Sequence, residues 1–140
     1  MSLSIYQRHL DTIPKQYRLL KLFRPPIYVI ELSNNQVSAV CYYKDGSSKR
    51  HQVNAAFSNR RMVIADFLSA VQAITDLLLK FPKHPFGISS FAVVNVTEEL
   101  IDGLTMIEIK AIREAVWAAS GQAKRRIVSS IVSYQGQVVS

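Results

Sequence analysis

The stretch MVIADFLSAVQAITDLLLKF, Met62 to Phe81, decides how the rest of the chain is arranged. Asp66 stands where a helix needs its N-cap, because a short carboxylate there can accept from an orphan amide of the first turn. Beyond it, Phe67, Val71, Ile74, Leu78 and Phe81 recur at helical spacing as a core stripe, and Ser69, Gln72, Asp76 and Lys80 mark the outward side. Pro82 and Pro85 end the helix, since proline lacks the amide a further turn would use. A helix apolar along one stripe has to bury it against a sheet or another helix.

Upstream, three segments read as strands. Ile27 to Leu32 is nearly continuous β-branched and aromatic sequence, as in a central strand. After the polar turn Ser33-Asn34-Asn35-Gln36 comes Val37 to Tyr43. Lys44-Asp45-Gly46-Ser47 then turns the chain into Arg50 to Phe57. There Val53, Ala55 and Phe57 alternate with Gln52, Asn54 and Ala56, so one face is wetter. Downstream, Phe91 to Val96 is a short apolar strand without alternation, the pattern of burial on both faces. A second helix is expected from Thr105, with Glu108 completing a capping box; Ile109, Ile112, Val116 and Ala119 form its stripe, and Gly121 is placed to stop it. Ile127 to Val132 is the last clear strand, with Tyr134 to Val139 as an extension.

The order is β-β-β-α-β-α-β: an α/β fold with a mixed sheet and helices packed on it, the ribonuclease-H-like arrangement of each large subdomain of actin-like proteins. With 140 residues, 49 % apolar and 19 % charged, one core is affordable. The lone Cys41 excludes a disulfide framework and fits a reducing, cytoplasmic setting. His9, His51 and His84 lack metal-ligand spacing, and no apolar run reaches the about 20 residues that span a bilayer.

Residues 1–26 read as a basic N-terminal arm in front of a domain over 27–140. Pro14 interrupts the arm and Pro25-Pro26 closes it; between them Gln16 to Phe23 mixes apolar and basic residues over about two turns, too short to be helical alone. Arg18, Lys21 and Arg24, with Leu19, Leu20, Leu22 and Phe23, suit an anionic membrane surface, a protein surface or a mobile tail. The net charge of +7, with further clusters at Lys49-Arg50, Arg60-Arg61 and Lys124 to Arg126, fits a solvated surface or an anionic partner, nucleic acid included.

Val63-Ile64-Ala65-Asp66-Phe67 leading into its helix resembles the MreB family, the rod-shape-determining bacterial actins. So do Glu108-Ile-Lys-Ala-Ile-Arg-Glu114, Ala118-Ala-Ser-Gly121 and the strand start Arg126-Ile-Val128. The resemblance runs from about Ile27 to Val132, the first large subdomain of such a protein. It implies an actin-like fold and association with the chain itself or with a full-length bacterial actin. It also implies a possible amphipathic N-terminal membrane contact.

The departures bear on activity. An actin-like ATPase turns between its first two strands through Asp-x-Gly-Thr, where glycine lets backbone amides reach phosphate and the carboxylate manages the metal. Here the turn is Glu31-Leu32-Ser33-Asn34-Asn35, without glycine, and no second phosphate loop follows. The expectation is a truncated, non-enzymatic chain with no cofactor, in which Glu31, Ser33, Asn34 and Asn35 mark a degenerate phosphate loop. A distant alternative is a divalent-metal nuclease pairing Glu31 with Glu98, Glu99 or Asp102; the plain reading of those acids is a solvated loop before a helix start.

On the second helix Met106, Lys110, Arg113, Glu114 and Trp117 share a side opposite the apolar stripe. A tryptophan among charges either lies on a neighbouring element or anchors a partner. The reading is therefore a cytoplasmic interaction or scaffold module linked to cell shape or the cytoskeleton, with homodimerisation one way to cover exposed edges. The alternative from another class is a basic adaptor for nucleic acid or anionic membrane.

Overall fold

A computed structural model of the chain describes residues 2–59, 62–84, 88–97, 100 and 103–139. Its elements are α1 (Ser2–Asp11), a 3-10 turn (Lys15–Tyr17), α2 (Arg18–Leu22), β1 (Ile27–Ser33), β2 (Gln36–Tyr42), β3 (Ser48–Asn54), α3 (Phe67–Leu79), β4 (Ser90–Val96), α4 (Met106–Ala123), β5 (Ile127–Tyr134) and β6 (Gln137–Val138). The six strands form one sheet in the order β3-β2-β1-β4-β5-β6. β1, β4 and β5 run parallel, while the β1–β2, β2–β3 and β5–β6 pairs are antiparallel.

Strand alternation decides which residues meet the helices. Tyr28, Ile30 and Leu32 of β1, Ala39 and Cys41 of β2, and Ala92, Val94 and Val96 of β4 point to one face. There they pack with Ala70, Ile74, Leu77 and Leu78 of α3 and with Ile109, Ile112, Val116 and Ala119 of α4. Their neighbours Ile27 and Phe91 point to the other face and meet Tyr6, Leu10 and Ile13 of the N-terminal arm in a second cluster. Beyond the arm that face carries a half-buried cross-strand row, Val40, Val29, Val93 and Ile131.

Both expected helix starts occur. Asp66 accepts from the Ser69 amide at 3.1 Å. Thr105 Oγ1 accepts from the Glu108 amide at 3.2 Å, while Glu108 accepts from the Thr105 amide at 3.4 Å, a closed capping box. At the other ends Arg125 is buried, with Nε and Nη2 donating to the Phe81 carbonyl at 3.2 and 2.8 Å and Nη1 donating to Ala123 at 2.7 Å. One guanidinium thus satisfies backbone oxygens just past α3 and at the end of α4, where the helix dipole favours a cation.

Several boundaries differ from expectation, each for a local reason. Gly121 does not stop α4, which continues to Ala123; Lys124, at φ 55°, takes the left-handed capping conformation instead. The expected extension over Tyr134 to Val139 reaches only Tyr134, the last residue of β5. Gln135 and Gly136, at φ 52° and 83°, make a two-residue hairpin turn that sends β6 back along β5. β3 starts earlier than Arg50, at Ser48, because the Asp45–Ser47 turn pairs Ser48 directly with Tyr42. Phe67 leaves the α3 stripe and is exposed, and Val63 and Ile64 are buried in its place. The arm holds a helix, α1, that was not expected. It is tied down by Tyr6, whose hydroxyl donates to the Pro25 carbonyl at 2.7 Å.

Candidate functional site

Eighteen residues of α4 lie with one side on the sheet and α3, which leaves the opposite side to water. On that side Met106, Ile107 and Trp117 are 77 %, 80 % and 74 % exposed, an unusual amount of large apolar surface for one helix. Lys110 and Arg113 stand between them, and Lys110 Nζ lies 4.0 Å from Glu114 Oε1, one turn on. This side of α4 and the start of β5, from Ile127 to Ser130, bound a groove of about 760 Å³ that Val139 also lines. Met106, Lys110, Arg113 and Trp117, singled out from helical spacing, are thus brought together along one wall. Ile107 completes that wall and was missed, although it sits three residues before Lys110 in the same row. Val128, Ser129 and Ser130 could not have been found, because only the tertiary fold sets β5 beside α4.

The arm residues do not line this groove, and they divide among themselves. Lys21 turns inward and donates to the Ile13 carbonyl at 3.3 Å. The Arg24 guanidinium sits 5.2 Å from the centroid of the Tyr6 ring, and Leu20 packs on the second cluster. Leu19, Leu22 and Phe23 remain exposed, beside an exposed Arg18.

At the tip of the β1–β2 hairpin the turn is bonded to the segment that follows β3. Asn35 occupies φ 53°, the conformation for which glycine is usual and asparagine next best. Its Oδ1 accepts from the Phe57 amide at 3.0 Å, the Ser58 amide at 2.9 Å and the Ser58 hydroxyl at 3.1 Å. Its own amide donates to Ser58 Oγ at 2.8 Å, and Asn34 Oδ1 accepts from the same hydroxyl at 2.9 Å. Ser33 Oγ donates to Gln36 Oε1 at 3.3 Å. The Asn35 amide, which a phosphate would need, is thus committed to the segment that leads into α3. Glu31 is exposed on β1, between Ser38 and Asn95. Glu98, Glu99 and Asp102 lie outside the described residues, and among those described no group of three or more His, Cys, Asp or Glu is placed to hold a metal ion.

The interior titratable groups are paired or inert. Burial pushes the Cys41 thiol up to about 12, which leaves no thiolate near neutral pH. His84 Nδ1 lies 2.8 Å from the Ile88 carbonyl, an oxygen that only accepts, so that nitrogen carries the proton. Nε2 then accepts from the Tyr28 hydroxyl at 2.8 Å. Burial lowers the His84 pKa below its ordinary 6.5, with Arg125 adding to the effect and the Ile88 bond opposing it, and burial raises that of Tyr28.

With this geometry in place, comparison with known proteins bears on the fold. No family model matches the chain, and no curated protein matches it. Among solved structures, the ethanolamine utilization protein EutJ from Carboxydothermus hydrogenoformans superimposes with a TM-score of 0.50 at 15 % identity. The match covers 78 % of this chain and 37 % of that one. The fold is actin-like. The mixed six-stranded sheet with helices packed on it is a ribonuclease-H-like, actin-like subdomain, and the chain spans little more than a third of the EutJ structure. Among the described residues, no helix is long and apolar enough to cross a membrane.

Proposed function

We propose that this chain is a non-enzymatic, actin-like interaction or scaffold protein related to MreB. It would serve bacterial cell shape or the cytoskeleton, and pair with itself or with a full-length bacterial actin homologue. The observation that carries the reading is the exposed row Met106, Ile107 and Trp117 on α4, with Lys110 and Arg113 set into it. Apolar side chains kept in water at such density favour association, since covering them removes apolar area from solvent. The closed Asn34–Asn35 turn supports the non-enzymatic part, because the Asn35 amide and carboxamide oxygen already hold Ser58 and Phe57.

The test is the solution mass of the protein, alone and mixed with an MreB-type filament protein, at low and moderate salt. The reading expects a salt-resistant homodimer or complex; a monomer that ignores the filament protein sinks it. The exposed Arg18, Leu19 and Leu22 on α2, with Phe23 just past its end, favour one second reading, a basic adaptor for an anionic membrane. It predicts binding to acidic vesicles that falls steeply with salt.

A further inference from the structure

The groove beside α4 has a second wall that a helix-packing surface would not need. β5 runs from Ile127 to Tyr134, but β6 pairs only with Ser133 and Tyr134. Among the described residues no strand pairs with the outer edge of β5 from Ile127 to Ile131. The Val139 amide reaches the Val132 carbonyl at 2.9 Å, which shows that Val132 presents its backbone to the outer side. Strand alternation then turns the amide and carbonyl of Ser130 the same way. An edge of this kind is a template for another strand, and proteins ordinarily blunt such edges with charge, proline or a covering element. Here Val128, Ser129 and Ser130 line the groove instead, and the exposed side of α4 runs alongside.

We propose that this groove takes an extended segment of a partner protein as an added strand on β5, and that the segment alternates apolar and acidic side chains. The proposal rests on the interaction-module reading and names its site and ligand. Main-chain bonds to the β5 edge supply register, and alternate side chains face α4. Trp117 and Met106 offer the apolar anchor. The charge around it selects the acidic class: Arg113, Lys124 and Arg126 are exposed on this side, whereas the groove's Glu114 already has Lys110 at 4.0 Å. The same cations argue against a second copy of this chain, since edge-to-edge pairing of two β5 strands would set the two clusters against each other.

Trp117 is the single tryptophan, so its fluorescence reads this groove alone. The probe is an end-capped peptide of about eight residues alternating valine and glutamate, about the length of a strand that covers the open edge. The expected result is a saturable blue shift of Trp117 emission, absent with the valine–lysine peptide or with a single-stranded oligonucleotide. Ser130→Pro removes the outward amide and should cost at least tenfold in affinity, whereas Ser130→Ala keeps that amide and should bind as the wild type does. Should Ser130→Pro fail to fold, Lys110→Glu with Arg113→Glu, both on the exposed side of α4, should lose the acidic peptide and gain the lysine peptide. The inference is overturned by the absence of a saturable shift, by equal binding of Ser130→Pro and Ser130→Ala, by preference for the lysine peptide or oligonucleotide in the wild type, or by a homodimer that Ser130→Pro dissolves. A filament-protein complex that forms undiminished with Ser130→Pro would remove the strand addition and leave the scaffold reading standing; no complex with the wild type would remove that reading as well.

Discussion

The β1–β2 turn and the α4–β5 groove are both places where the sequence departs from an ordinary globular surface, and they resolve in opposite ways. At the turn, polar groups in an awkward backbone conformation are satisfied inside the chain: Asn35 alone engages Ala55, Phe57 and Ser58. At the groove, apolar groups and, among the described residues, a strand edge are left open, and two of the largest side chains, Met106 and Trp117, are about three-quarters in water. Resemblance to a nucleotide loop is therefore a weak guide to what a turn does once its amides are taken. An exposed helix surface is the better candidate for function, because nothing within the described residues completes it.

The largest effect that would break this contrast is on stability at the turn. Asn35→Ala removes three accepted bonds and places alanine at positive φ, so it should destabilise the protein by about 2–4 kcal/mol in urea unfolding while binding of the acidic peptide to the folded fraction stays unchanged. Asn35→Gly should recover only the backbone part. A change below about 0.5 kcal/mol would mean that the turn is not the structural clasp described. The reverse pattern is expected at the groove. Trp117→Ala should lower partner or peptide affinity at least tenfold, equivalent to about 1.4 kcal/mol, yet shift the unfolding free energy by no more than about 0.5 kcal/mol.

Between these extremes, Thr105→Ala opens the capping box at the start of α4. It should cost about 1 kcal/mol and fray Met106 and Ile107, which hydrogen exchange at the first turn would show. The interior predicts a pH dependence that the groove does not share. His84 and His9 both have pKa values held below 6.5, chiefly by burial, so the unfolded chain binds more protons once the pH drops below that value. Stability should be fully present above about pH 6.5, fall as the pH drops toward the folded-state pKa values, and level off below them. His84→Gln should remove its share of that slope. The smallest effect belongs to the Lys110–Glu114 pair, where Glu114→Ala should change stability by less than about 0.5 kcal/mol.

Much of the architecture was legible because it is periodic. The α3 and α4 stripes, the capping pairs at Asp66 and at Thr105 with Glu108, and the mostly apolar run of β4 all carry local signals that survive in the fold. The misses follow from competition among such signals. Tyr6, Leu10 and Ile13 were spaced for a helix face, yet the polar residues between them hid α1. Gln135-Gly136 carried a turn signal inside what looked like one strand. Gly121 lost its stopping role because Ala123 is buried in the core and Arg125 bonds its carbonyl, which together reward a longer α4.

What the sequence by itself determined is the set of elements and their order, since helix and strand periods, caps and turns act over a few residues. It also placed Met106, Lys110, Arg113 and Trp117 on one side of α4, because a helix puts every third or fourth residue in a row. Only the tertiary structure decided that Ser58 would return across more than twenty positions to close the Asn35 turn. It alone set β5 beside α4, with no strand among the described residues paired to the outer edge of β5 from Ile127 to Ile131. Both outcomes depend on contacts between residues far apart in the chain, whose closeness is set by packing the whole sheet rather than by any local preference.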